Sequence, residues 1–175
     1  MSFSYINDKI IKGMDNFLIK NIIVLSLILG VIFGLLAPIP YVGMVMLFGI
    51  LLLSAPLVML YLIMDSKLDL TTPKDSIITG ALIGFFSNLS FSAVYALIMV
   101  LLSKIFHITT NFFLTAMIIN SPLWLLFVFV IFIGVLCAVT NAFSGFATFY
   151  VINFIRDMYE KKHPQKLEDK DYTKL

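Results

Sequence analysis

The chain has 175 residues, 61% of them hydrophobic and 13% charged, with a formal net charge of +2 and a mean hydropathy of +1.03. So small a charge, held at the chain ends and in one loop, argues against a nucleic-acid partner, which a basic surface would have to hold. No Asp, Glu, Lys or Arg occurs in 21–64, 76–103 or 105–155. A helix on a water-soluble protein needs a polar face, so tracts of this length belong in a bilayer. The expectation is an all-α polytopic integral membrane protein: four transmembrane helices in an antiparallel bundle, preceded by a short N-terminal amphipathic helix.

In 1–16 the apolar residues Phe3, Ile6, Ile10 and Met14 lead up to Phe17 at nearly helical spacing, with Asp8, Lys9 and Lys12 largely on other faces. That pattern predicts a short amphipathic helix on the membrane surface. The first span is predicted over 17–36 and is expected to remain as an anchor, because no small-residue cleavage site follows a short apolar core. Pro38 and Pro40 end it, since proline lacks an amide hydrogen and clashes with the preceding turn. The connection is so tight that the second span, 41–64, has to return beside the first. Pro56 lies inside that span and predicts a kink after Ser54, tolerated if a neighbouring helix satisfies the freed carbonyl.

The charged loop 65–75 ends in Thr72, Pro73 and Asp75, a helix start with threonine as cap and proline at the first helical position. The third span follows over 76–103. Within the connection 105–121, the apolar stretch 112–119 is too short to cross and predicts an interfacial or re-entrant piece. Ser121 and Pro122 repeat the cap-then-proline pattern and open the fourth span, 122–155. Its length is about 50 Å at ~1.5 Å per residue, against a hydrocarbon layer of about 30 Å. It must tilt, bend near 141–145 or protrude. The three units are therefore 1–16, the transmembrane domain 17–155, and a charged tail, 156–175, expected to be disordered from 163.

Of the 12 basic residues, all but Lys104 fall in the N-terminal segment together with the first turn of the span that follows it (Lys9, Lys12 and Lys20), the 65–75 loop or the tail. Four spans place those three regions on one side, so the positive-inside rule predicts a multi-pass cell-membrane protein with both termini cytoplasmic. Helices in lipid associate through small residues at four-residue spacing. Gly30 and Gly34 supply such a pair in the first span. Gly80, Gly84, Asn88, Ser92 and Ala96 form a continuous stripe in the third. Gly134, Ala138 and Ala142 do so in the fourth, with Cys137, Asn141 and Gly145 on the adjacent row. These faces are expected to pack within the chain, or to mediate self-association.

No ionisable side chain is predicted in the bilayer core, where proton relays and ion-coupled carriers place theirs. His107 and His163 fall outside or at the edge. No metal-ligand pair, nucleophile–base pair or phosphate-binding loop is present, so neither an enzyme nor a cofactor or metal is expected. Cys137, the single cysteine, reads as a small packing residue. Two polar clusters remain: Ser87, Asn88, Ser90 and Ser92 in the third span, and Thr140, Asn141, Ser144 and Thr148 in the fourth. Asn88 and Asn141 fall at similar depth, about 20 Å from the same face at ~1.5 Å per residue. They are expected to face each other, as a hydrogen-bonded pair or as the lining of a polar pocket. Two functions follow as expectations: a non-catalytic structural or accessory subunit of a membrane assembly, or a small transporter or channel component for a neutral or weakly polar solute. The partners are the bilayer and other membrane subunits or a second copy.

Overall fold

The computed structural model describes residues 3–65, 72–108 and 112–162, and the side chains within those ranges from 17 onward except 112–114 and 160. Every regular element among them is helical: α1 (Phe3–Leu36), α2 (Val42–Phe48), a π-helical turn (Gly49–Leu53), α3 (Ser54–Met64), α4 (Pro73–Lys104), α5 (Phe112–Asn120) and α6 (Leu123–Lys162). Four stretches are long and apolar enough to cross a membrane: Phe17–Leu36, Val42–Met64, Pro73–Lys104 and Leu123–Tyr159. The chain thus has the character of a multi-pass membrane protein.

The backbone of α1 is helical without interruption from Phe3, so no break separates the N-terminal segment from the first span. The amphipathic face expected of that segment concerns side chains outside the described residues, as does the tail from 163. The turn after α1 is tight enough to force Tyr41 into the left-handed region at φ 67°. Its hydrogen bonds run from the Val42 amide to the Pro40 carbonyl and from the Gly43 amide to the Ile39 carbonyl, both 2.9 Å. Position 43 has to be glycine, because a Cβ there would strike the carbonyl oxygen of Ala37.

Thr72 caps α4 as its spacing predicts. Its hydroxyl oxygen accepts from the Asp75 amide at 3.2 Å, and its hydroxyl donates to the Asp75 carboxylate at 2.7 Å. Pro73 occupies the first helical position, where its missing amide hydrogen costs nothing. Thr72→Ala should lower the stability of the detergent-solubilised protein by about 1 kcal/mol, read as a small downward shift of the unfolding midpoint. The fourth span begins one residue later than the cap-then-proline pattern predicts, at Leu123. There the Pro122 carbonyl accepts from the amides of Leu125 and Leu126. It then runs 40 residues with no interruption at 141–145, about 60 Å at 1.5 Å per residue.

α4 packs along both α1 and α6. Against α1 the close approaches at the glycines climb together: Gly30 meets Ser87 and Phe91, and Gly34 meets Phe91 and Val94. These two helices therefore run parallel. Against α6 the contacts run oppositely: Ser76 with Gly145, Gly80 with Asn141 and Ala142, Gly84 with Cys137 and Asn141, and Asn88 with Val130. α3 packs against α1 and α4 through a core of Ile22, Ala55, Val58, Met59, Leu62 and Ile83. Ala37, Ile50 and Phe91 form a second core.

Candidate functional site

Pro56 sets up the most unusual local chemistry in the chain. Lacking an N–H, it cannot donate to the carbonyl four residues back, Leu52, nor in a π register to the one five back, Leu51. The helix responds one turn upstream of the kink predicted after Ser54, by widening into the π turn Gly49–Leu53. The amide group of Asn141, on α6, fills the gap that results. Its Oδ1 accepts from the Ala55 backbone N–H at 2.8 Å. Its Nδ2 donates to the carbonyls of Ile50 and Leu51, each at 3.0 Å, and to its own helix at Cys137, also 3.0 Å. Two hydrogens serve three carbonyls, so one bond is three-centred. Ser54 adds a hydroxyl bond to the Ile50 carbonyl at 3.0 Å. In effect the side-chain amide of Asn141 stands in for a missing peptide group, and it is fully buried there.

Asn88 does not pair with Asn141. Its Nδ2 donates instead to the Val130 carbonyl at 3.3 Å. The α4–α6 register explains this. Residue numbers opposite one another across these helices total roughly 222 (80 with 142, 88 with 134), whereas 88 and 141 total 229. Seven residues of mismatch is about 10 Å along the axis. Similar depth estimated from two different helix ends did not fix the register between them.

The remaining polar residues bond mainly to carbonyls. Ser76 donates across to Gly145 at 2.6 Å and Ser90 across to Leu27 at 2.9 Å. Ser87 donates to Gly84, Thr140 to Leu136 and Cys137, and Thr148 to Ser144, all within their own helices. Ser144 thus enters through its backbone oxygen. Among the described residues, Asn21 Nδ2 is the buried side-chain polar atom left without a partner.

The small-residue faces are where the helices touch most closely. A Cβ at Gly30 would strike the Ser87 carbonyl. One at Gly80 would strike the Asn141 carbonyl, and one at Gly84 the Cys137 carbonyl. A Cβ at Gly34 or at Gly145 would come within 3.0 Å or less of a backbone oxygen of α4, while Gly134 faces the Phe85 ring at 3.2 Å. Ala142 lies against Gly80, and Ala138 is half-buried beside it on the same helix.

The five-residue stripe of α4 does not stay in contact with α6 along its length. Gly80, Gly84 and Asn88 meet α6, but Ser92 and Ala96 face a partly open cavity of about 460 Å³. The walls come from the end of α2, the π turn, α4, α5 and α6, and almost all of them are apolar. Asn88, Ser92 and Tyr95 are the residues with polar side chains in the lining, and Cys137 lies at the end nearest the middle of α6. No group of three or more potential metal ligands occurs among the described residues.

Comparison with models of known protein families, with curated proteins and with solved structures finds no match.

Function is therefore read from the chain's own chemistry. The sequence pointed to Asn141 but not to its partners. The signal that could have found them is the pairing of a proline, which removes a donor from one span, with a carboxamide in another span that carries both a donor and an acceptor.

Proposed function

We propose that the chain is a non-catalytic, multi-pass membrane protein that acts as a structural or accessory subunit of a larger membrane assembly, with both termini on the cytoplasmic side. The placement of the basic residues supports the orientation. The observation that carries the functional reading is the use made of the polar side chains. Asn141, Asn88, Ser76 and Ser90 bond to backbone atoms of neighbouring helices, an arrangement that fixes helix positions instead of presenting polar groups to a passing solute. Interhelical bonds of this kind stabilise membrane bundles by about 0.6–2 kcal/mol each.

Passage of a neutral or weakly polar solute, the competing expectation, would draw support from a polar path between α4 and α6. The backbone-to-backbone approach at Gly80 and Gly84 leaves no room for one there, and this favours the subunit reading. The test is reconstitution of the purified chain into liposomes. Flux of glycerol and urea should match that of empty vesicles, while extraction from native membranes in mild detergent should recover the chain in a complex with a second membrane protein at fixed stoichiometry. Solute flux that Asn88→Leu abolishes would overturn the proposal.

A further inference from the structure

We infer that the cavity between the π turn, α4, α5 and α6 is a binding site for one acyl chain of a membrane phospholipid. This is independent of whether the protein belongs to a larger assembly.

Shape is the first argument. The cavity spans Leu126 to Cys137 on α6, about 16 Å at 1.5 Å per residue. A volume of about 460 Å³ spread over that length makes an elongated slot, which a single unbranched hydrocarbon chain can follow.

Chemistry is the second. The walls carry no charged side chain, so nothing there compensates an ionic headgroup, and only the tail of a lipid can enter. The Asn88 carboxamide, the most buried polar group in the wall, already donates to Val130. Water would find few partners in such a space, and apolar cavities of this kind stay dry.

Position is the third. The cavity lies in the half of the spans remote from Met64 and Pro73, and Ser92 and Ala96 are the small residues that α4 contributes to its wall. Its outer end, at Leu126, Ala96 and Met117, approaches the helix ends beside α5. Its inner end is at Leu136, Cys137 and Leu51. A chain would thus enter beside α5 with its methyl end toward Cys137, leaving the headgroup at the membrane surface.

The experiment uses the full chain in liposomes containing phosphatidylcholine with a photoreactive diazirine in one acyl chain. A diazirine at the methyl end should label Leu51, Leu136 and Cys137. One placed next to the ester should label Met117 and Leu126 instead. Ala96→Phe, which fills the channel, should reduce labelling at the inner positions at least tenfold, with labelling of the outward-facing Phe132 and Val135 unchanged. Ser92→Leu serves as a second filling variant if Ala96→Phe does not fold. Labelling confined to Phe132, Val135 and other lipid-facing residues, or inner labelling indifferent to both fillings, would overturn the assignment. So would inner labelling by a diazirine fatty acid but not by the phospholipid.

Discussion

Replacing Asn141 by leucine should be among the most damaging single changes in the chain, with an expected loss of about 2–5 kcal/mol. The estimate follows from the groups left behind. The Ala55 amide loses its acceptor, and the carbonyls of Ile50 and Leu51 lose their Nδ2 donor, all between packed helices. Each buried group left unsatisfied costs about 1–3 kcal/mol, moderated in membranes because partly unfolded helices find other partners. The measurement is the denaturation midpoint in mixed detergent and SDS micelles, followed by helical circular dichroism. The decisive comparison is with Pro56→Ala. Alanine at 56 restores a backbone N–H able to reach the carbonyl at Leu51 or Leu52, so the ladder of that span can close without help. Asn141→Leu should therefore cost markedly less in a Pro56→Ala background than in the wild type. Strict additivity of the two changes would refute the substitution of side chain for peptide described above.

Gly84→Val is the second large effect. Even the Cβ would overlap the Cys137 carbonyl and come within 2.6 Å of the Asn141 Cβ and 2.9 Å of its Nδ2. The obstacle is mainly backbone and the foot of a fully buried side chain, neither of which can yield locally. α4 and α6 must separate, and the Asn141 bonds must stretch with them. A loss of about 3 kcal/mol or more is expected, at or beyond the upper end of ordinary overpacking. Ala96→Leu, three turns further along the same stripe, adds the same three carbon atoms but faces the cavity. Its unfolding midpoint should stay within about 0.5 kcal/mol of the wild type, the scale of changes that meet no tight contact. Equal damage at positions 84 and 96 would contradict the splaying of the two helices.

These contrasts show which features a sequence can reveal and which it cannot. The spans follow from charge-free tracts, because the bilayer imposes its cost residue by residue along each helix. Thr72 and Pro73 are legible for a similar reason: capping is local, decided within one turn. The short α5 was also visible, as an apolar stretch too brief to cross. Register between helices is a different kind of quantity. The stripe from Gly80 to Ala96 marks a face of α4 but carries no information on where α6 leaves that face. On the opposing side Leu126, Phe129 and Ile133 line the cavity where the two helices part. The same blindness led to the expected pairing of Asn88 with Asn141. Pro56 signalled a disturbed helix, but the disturbance lies at Gly49–Leu53, because a missing proline hydrogen is felt at the carbonyls preceding it.

A π turn holds one residue more than the α-helical ladder can accommodate. The segment Gly49–Leu53 is thus equivalent to a single-residue insertion, and Asn141, some ninety positions later in the chain, is the graft that makes the insertion tolerable. Neither feature has a use without the other. Shortening 49–53 by one residue would leave a carboxamide buried with no peptide to serve, while losing the carboxamide would leave a span too long for its own hydrogen bonds. The two sites are therefore bound to change together or not at all, much as a key and its keyway must be recut as a pair.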